Sequence, residues 1–375
     1  MKKCVFLLAL LATLSACHPS AEKTKLVRVG VFDGFGGSQT CIWEAAAAIS
    51  LDPDMCVRTI TTSDIAHGVL DSLDAIIVPG GSGSRQYLNL GAYNAERIRA
   101  FVKNGGGAVG ICAGAYLYTD TPDYACLALN GAAAIDREHD NRGHGIVAFT
   151  LTDSGRGLFP ELAGRDTLYV MYYEGPVLIP NPDSGINYET FAIMQSDVHE
   201  EGDAPAGMTN GRPFFIGNAY GKGRVFSSIA HPEGTPGMMW MIPRMVRWTL
   251  NLPQIPYSET AVDCERFGKE ILMTLADNDY EADCLQKLLY GMPQEKIASL
   301  DWLYAHQSWD AKRWVQGLLY DNDPTVRVRV ARYIADIQYL TYLPDIKAAC
   351  VAEKDPDTAA ALQQQLERLL SLRKR

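Results

Sequence analysis

A cysteine set among small residues is the first feature of this sequence that could do chemistry. Cys112 lies within residues 110–115 (GICAGA), where 107–112 predict a buried strand and 113–118 open a helix. A nucleophile on the turn between a strand and a helix forms an elbow, whose tight backbone needs small neighbours. The amides and the positive dipole end of the helix favour the thiolate. The alternative is a buried structural cysteine at the end of a glycine-rich strand.

The second chemical feature is the run His231-Pro232-Glu233, which directly follows a predicted strand over residues 224–230. Two side chains that lie two residues apart at a strand end can share one face of the sheet. An imidazole can take the proton of a thiol, and a carboxylate can hold the imidazole in the required orientation. We therefore predict that Cys112, His231 and Glu233 form a catalytic triad.

The turn Pro79-Gly80-Gly81 closes a predicted strand over residues 74–78. Ligands of open α/β sheets bind at the carboxyl edge of the strands, so this turn is expected to face the elbow. The backbone amides of Gly81 and Ala113 would then form an oxyanion hole. Gly80 and Arg85 are candidate substrate-pocket residues beside it. The alternative is a simple glycine turn without a catalytic role.

The first third of the chain alternates between apolar strands and helices. Such alternation predicts a parallel sheet with helices on both faces. The predicted strands are 26–34, 56–62, 74–78 and 107–112, and the predicted helices are 39–50, 94–104 and 113–118. Short strands then follow between residues 146 and 230, with a hairpin turn over 220–224. A last apolar helix is predicted within 236–251, where Pro243 either kinks it or lies in its first turn.

A linker is predicted at residues 252–258, because after it the pattern is purely helical through 259–375. Asp323-Pro324 opens one of these helices and Asp355-Pro356 opens another. In both, the aspartate can cap the helix while the proline occupies its first turn. The first copy, followed by Val326-Arg327, resembles the start of a HEAT-type repeat. A small irregular helical bundle is the alternative.

Taken together, these motifs resemble the class I glutamine amidotransferase-like superfamily over residues 26–251. Within it, residues 79–83 (PGGSG), 110–116 (GICAGAY) and 172–176 (YYEGP) look like the biotin-protein ligase N-terminal domain family. The resemblance implies a parallel sheet flanked by helices, flavodoxin-like, followed here by a smaller all-α domain. It also implies that Tyr116, Tyr173 and Glu174 lie at the substrate pocket.

One departure from that family concerns the residues after the elbow glycine. Glutamine-hydrolysing relatives place leucine or glutamine there to shape the glutamine pocket, whereas this chain has Ala115-Tyr116. The resemblance therefore does not imply glutamine specificity. The chain also has no ATP-grasp motif, no P-loop and no acceptor domain for ammonia. A synthetic amidotransferase is not expected.

The N-terminus is typical of an exported bacterial lipoprotein. Lys2 and Lys3 precede an apolar stretch that is too short to span a bilayer, and Leu14-Ser15-Ala16-Cys17 follows it. The last four residues resemble a lipobox, which implies a signal peptide over residues 1–16, lipidation at Cys17 and a tether over 17–25. His18 at the next position resembles lipoproteins of the outer membrane, facing the periplasm. An ordinary secretory signal is the alternative.

Charge and cysteine spacing restrict the partners. The formal net charge is −10, so no electrostatic footprint for nucleic acid is present. No cysteine or histidine cluster has zinc-like spacing, so neither a metal nor a cofactor is predicted. Cys41, Cys56, Cys126, Cys264, Cys284 and Cys350 are left for disulfides that an exported compartment permits, but the sequence cannot choose their pairing.

Three functional hypotheses follow. The first is a thiol-dependent hydrolase of an amide or related acyl bond in the cell envelope, acting on an unidentified small-molecule or peptide-like substrate. The second is a catalytically silent binding module whose helical tail docks a partner protein. The third is a relative of the intracellular-protease or chaperone-like branch, in which Asp33 would supply the acid near the cysteine. Trp302, Trp309 and Trp314, in the helical region, are interpreted as core residues.

Overall fold

The computed structural model describes residues 26–374. The predicted signal peptide and the predicted lipidation site Cys17 lie outside these residues. The described strands are β1 (Val27–Phe32), β2 (Met55–Ile60), β3 (Ala75–Val78), β4 (Gly107–Ile111), β5 (Ala132–Ala134), β6 (His144–Leu151), β7 (Leu168–Tyr173), β8 (Leu178–Pro180), β9 (Glu189–Met194), β10 (Pro213–Tyr220), β11 (Gly223–Ser228) and β12 (Ile271–Leu272).

Helices cover both faces of the sheet and make up most of the chain after it. They are α1 (Gln39–Ile49), α2 (Thr62–Ala66), α3 (Gly83–Lys103), α4 (Ala113–Leu117), α5 (Asp153–Leu158), α6 (Met241–Thr249), α7 (Leu275–Tyr290), α8 (Pro293–Ala305), α9 (Ala311–Trp314), α10 (Pro324–Asp336), α11 (Leu343–Ala352) and α12 (Pro356–Ser371).

One sheet dominates the described part of the chain, with strand order β12-β6-β9-β10-β11-β4-β3-β1-β2, and β7 pairs with β6 outside that path. From β2 to β11 the pairs are parallel, and β3 and β4 are wholly buried. From β11 to β6 the pairs are antiparallel. The predicted fold class, a parallel sheet flanked by helices with a helical C-terminal region, is confirmed. The antiparallel half of the sheet ends in the tight hairpin of β10 and β11.

Two local predictions are confirmed and one helix is longer than predicted. β10 and β11 form the predicted hairpin, with Tyr220 opposite Gly223. The last apolar helix begins at Met241, so Pro243 lies in its first turn. α3 begins at Gly83 rather than at residue 94, and Gly91 has non-helical backbone angles within it. That kink interrupts the apolar periodicity, which is why the pattern predicts only the second half.

Two helices of the C-terminal region, α10 and α12, begin with the predicted caps, and the region packs on the sheet layer. Asp323 accepts a hydrogen bond from the Thr325 amide, and Asp355 accepts one from the Thr358 amide. A single buried apolar cluster includes both sheet residues such as Val29 and helical-region residues such as Leu369. Whether the helices are HEAT-type repeats stays a prediction. Among residues 26–374, no helix combines the length and apolar character needed to cross a membrane.

Candidate active site

Cys112 occupies a strained turn at the carboxyl end of β4. Its φ of 51° and ψ of −108° fall in a region that non-glycine residues rarely adopt. Small neighbours make the turn possible, because a Cβ on Gly114 would lie 1.9 Å from the Val78 carbonyl oxygen and one on Gly110 would lie 2.7 Å from the Gly114 backbone. The thiol is 7% exposed and its Sγ lies 3.4 Å from the Tyr173 carbonyl oxygen. This is the geometry of a nucleophile elbow.

The sheet topology brings His231 to the same edge. β11 lies parallel to β4 with Ser228 opposite Ile111, so the chain leaves both strands side by side. His231 is 2% exposed. Although burial acts to lower it, the pKa of His231 is raised well above its usual range by the charge of Cys112, by Glu233 and by hydrogen bonding to Cys112. An imidazole that tends to stay protonated beside a thiol stabilises the thiolate.

Glu233 supplies the third predicted group. Its Oε1 lies 2.8 Å from His231 Nδ1, and both side chains are almost completely buried. The short helical turn Pro232–Gly234 folds the carboxylate back onto the imidazole. A carboxylate bound to Nδ1 fixes the ring and directs the other ring nitrogen toward its partner.

The glycine turn after β3 packs directly against these groups. A Cβ on Gly80 would lie 2.7 Å from His231 Cε1, and one on Gly81 would lie 2.2 Å from the Gly36 carbonyl oxygen. Gly81 has a φ of +140° and bridges to Gly37. Neither the Gly81 nor the Ala113 backbone N–H donates to a backbone acceptor outside the regular elements of residues 26–374. Both amides are therefore available for a developing oxyanion.

A cavity of about 630 Å³ opens above Cys112 and His231. The predicted residues Gly81, Ala113, Tyr116, Tyr173 and Glu174 line it. Burial raises the pKa of Glu174 to about 7, with the negative charge of Glu201 acting in the same direction. The cavity thus holds a carboxyl group that titrates near neutrality.

Three candidates do not line this cavity. Gly80 was predicted as a substrate-pocket residue, but it packs against His231 and is not one of the lining residues. The Arg85 side chain is exposed, is not among the residues that line this cavity, and has its Cβ against the backbone at Gly36. Because α3 begins at Gly83, Arg85 lies in the first turn of that helix, and its side chain is exposed rather than part of the cavity wall. Asp33, the acid of the third hypothesis, does not line the cavity either.

The loop that carries Tyr173 and Glu174 is fixed from behind by a buried arginine. Arg142 lies 2.9 Å from Asp136, and its Nε donates to the Tyr172 hydroxyl at 2.9 Å. Arg142 also donates to the Gly175 carbonyl oxygen. With Glu174 at a φ of 49°, this network holds the cavity wall in a defined conformation.

Several cavity residues were missed by sequence reasoning. Trp309, interpreted as core, is indeed buried but lines the cavity, and Asp310 and Arg313 follow it from the helical region. The same interpretation is wrong for Trp314, which is 48% exposed. Ser38 and Cys41 contribute from the start of α1. No spacing or motif marks these residues, because their role depends on how the helical region packs against the sheet.

Cys41 places a second buried thiol beside the imidazole. Burial raises the pKa of Cys41, whereas its hydrogen bond to His231 acts to lower it. Donor atoms of Cys41, His231 and Glu233 lie within 4.8 Å of one another, so this group could hold a metal ion, although the Nδ1 of His231 is already bonded to Glu233. None of the seven cysteines within residues 26–374 forms a disulfide.

The parallel strands of the sheet and the elbow at Cys112 fit the class I glutamine amidotransferase-like fold that the sequence resembles. Residues 27–130 match the family model "Biotin-protein ligase, N terminal", which confirms the resemblance predicted from the sequence. No curated protein matches the chain.

Solved structures give weaker similarities. A ThuA-like protein from Bacteroides uniformis is 13% identical, with a TM-score of 0.45, over 62% of this chain and 95% of its own. The glutaminase domain of Trypanosoma brucei CTPS, solved with bound acivicin, is 11% identical with a TM-score of 0.40, over 61% of this chain and 96% of its own.

Proposed function

We propose that this protein is a thiol-dependent hydrolase that cleaves an amide or a related acyl bond. The observation that carries the proposal is the strained elbow of Cys112 next to a buried His231–Glu233 pair with a 2.8 Å contact. Backbone strain at a nucleophile persists only when the surrounding structure enforces it, and such strain concentrates at functional sites.

The reaction follows from the positions of these groups. The Cys112 thiolate attacks the carbonyl carbon, and the amides of Gly81 and Ala113 donate hydrogen bonds to the oxygen that becomes negative. The imidazolium of His231 gives its proton to the leaving nitrogen, which departs as an amine and leaves a thioester. Water then attacks the thioester while His231 takes its proton, and the thiolate and a carboxylic acid are released.

The walls of the cavity favour a polar, peptide-like substrate. Arg137 and Arg313 supply positive charge, and Asp140 and Asp310 supply negative charge around the opening. Tyr116, Tyr124 and Trp309 add aromatic surface. A cavity with both charges and flat apolar faces complements a molecule that carries an amine, a carboxylate and amide planes.

Labelling with an electrophilic amide or chloroacetamide probe tests the proposal. At neutral pH the folded wild-type protein should be labelled at Cys112, with the site located by peptide mass spectrometry. His231→Ala should reduce the rate at least about tenfold, because the thiolate loses its partner. Cys56→Ser is the matched control, since Cys56 is exposed and remote, and it should keep the wild-type rate.

A Cys112 thiol that reacts no faster than the exposed Cys56, in a folded protein, would overturn the hydrolase proposal. That outcome would favour the binding module, in which the same cavity holds a ligand without turning it over. Isothermal titration with candidate cell-wall peptides would then identify the ligand.

We also propose that the protein belongs to the bacterial cell envelope and is attached to a membrane through lipid on Cys17. The expected site is the outer membrane, with the protein facing the periplasm. The support is the sequence pattern of residues 1–18. Expression of the full chain in a bacterial host with labelled fatty acid provides the test. The wild type should carry the label and sediment with membranes, whereas Cys17→Ser should carry none; equal labelling of both would refute the anchor.

A further inference from the structure

A lysine from the helical region reaches the back of the triad. Lys312 Nζ lies 2.6 Å from Glu44 Oε1 and 3.0 Å from the Gly234 carbonyl oxygen, and Lys312 and Glu44 are 3% and 2% exposed. Gly234 directly follows Glu233. A buried ion pair of this kind carries a large desolvation cost, so it is weak evidence for stability and calls for another role.

A small cavity of about 10 Å³ lies between this pair and the triad, lined in part by Glu44, Glu233 and Thr341. Each of these three residues has one buried oxygen without a hydrogen-bond partner among residues 26–374: Glu44 Oε2, Glu233 Oε2 and Thr341 Oγ1. Buried polar atoms without partners are rare in proteins, and several on one cavity indicate a bound group.

One water molecule could bind these three oxygens. A water has two O–H donors, which match the two carboxylate oxygens, and it accepts one bond, which matches the Thr341 hydroxyl. The cavity has the size of a single water site, and buried waters typically make about three hydrogen bonds. A cation would instead compete with Lys312, which already neutralises Glu44.

We propose that Lys312 and Glu44, acting through one water bound in this cavity, position Glu233 against His231, so that the helical region is part of the catalytic apparatus. Lys312 and Glu44 are positioning residues, since neither touches the reacting atoms. The inference rests on the proposed function for its biological meaning, but its test uses only the reactivity of the Cys112 thiol.

The charges around His231 determine the sign of each effect. The groups that face it are Cys112, Glu233 and Cys41, while Glu44 and Lys312 lie one layer behind them. Tyr339 packs near this layer, with Lys312 Nζ 5.8 Å from its ring. Glu44 favours the imidazolium, whereas Lys312 opposes it. Paired, the two charges nearly cancel and leave Glu233 as the net charge next to the ring.

The experiment measures the alkylation rate of Cys112 against pH in the full chain. Glu44→Gln leaves the Lys312 cation without a counter-charge, which disfavours the imidazolium, so the midpoint of thiolate formation should rise by roughly one pH unit. Lys312→Met should not raise it. The double variant Glu44→Gln/Lys312→Met restores neutrality and should return the midpoint close to the wild-type value.

Lys296→Met is the matched control, because Lys296 forms a 2.5 Å ion pair with Asp321 within the helical region and away from the site. It should lower the melting temperature without moving the midpoint. Identical midpoints in all variants that still melt cooperatively would overturn the inference, even when the wild type labels rapidly. An unreactive wild type would instead refute the proposed function itself.

The water is tested separately by a crystal structure of the full chain at a resolution that shows ordered solvent. A water within about 3.2 Å of Glu44 Oε2 and Glu233 Oε2 supports its role. A direct contact between the two carboxyl groups would overturn it.

Discussion

The indole ring of Trp309 lies 4.7 Å from the imidazole of His231, edge to face at 61°. The ring centroids of Trp309 and Tyr173 are 6.2 Å apart. Lys312 Nζ lies 4.5 Å from the centroid of the Trp309 ring. A residue of the helical region thus covers the imidazole of His231, which belongs to the α/β region. Removing water from one side of the imidazole strengthens its interactions with Cys112 and Glu233.

Replacing this indole should affect both stability and reactivity. Trp309→Ala should lower the free energy of unfolding by about 3 kcal/mol, because a large buried side chain leaves a cavity. The labelling rate of Cys112 should fall as well. Trp314→Ala is the control, since Trp314 is 48% exposed and should cost less than about 1 kcal/mol. Denaturant unfolding measures both; equal effects would contradict the covering role of Trp309.

The elbow predicts a sharp difference between two glycines. Gly114→Ala should lower the free energy of unfolding by about 3 kcal/mol or more and abolish labelling, because its Cβ would collide with the Val78 carbonyl oxygen. Gly157→Ala, where nothing lies within 4 Å of the added Cβ, should be neutral or stabilise by about 0.5 kcal/mol. Similar losses in both variants would mean that the turn is not constrained.

The raised pKa of His231 predicts how stability depends on pH. A folded-state pKa above the unfolded value of 6.5 adds stability that is complete below about pH 6.5 and is lost as the pH rises through the raised value. The free energy of unfolding of the wild type relative to His231→Gln should therefore decrease from pH 6 to pH 9. In a Cys112→Ser background the decrease should be smaller, because the thiolate no longer favours the imidazolium. No difference between the two backgrounds would argue against the Cys112–His231 coupling.

Glu174 should titrate near neutral pH. Its pKa is raised to about 7, chiefly by burial, so the folded state disfavours the ionised carboxylate. The wild type should lose stability as the pH rises from about 4.5 to 7, whereas Glu174→Gln should not. The difference should therefore be absent at pH 4.5 and complete above pH 7. Glu138→Gln, on the exposed part of the neighbouring loop, retains Glu174 and should lose stability over this pH range as the wild type does.

Much of the α/β layer was predictable because it follows from local patterns. β1, β2, β3 and β4 lie within a few residues of their predicted positions. Their apolar runs are bounded by glycine, proline and aspartate, which mark strand ends. The proximity of Cys112 and His231 was also predictable, since it requires only that β4 and β11 be neighbours.

The rest of the site was not predictable because it depends on contacts between distant parts of the chain. Cys41 and Glu44 lie in an alanine-rich helix whose pattern indicates only a packed face. Lys312 lies in a short helix whose charged sequence suggests solvent exposure, yet it is buried against Glu44. A charged side chain is rarely buried unless it is paired with an opposite charge, and a single sequence does not identify that partner.

The short strand β12 affects how the protein responds to proteolysis and to thermal unfolding. Its two residues follow the predicted linker and yet pair with β6 at the edge of the main sheet, with Ile271 opposite Ile146. The segment just before α7 is thereby hydrogen-bonded to the sheet of the α/β region. A protease that nicked residues 252–258 would leave two fragments held together, and thermal melting should proceed as one transition rather than two.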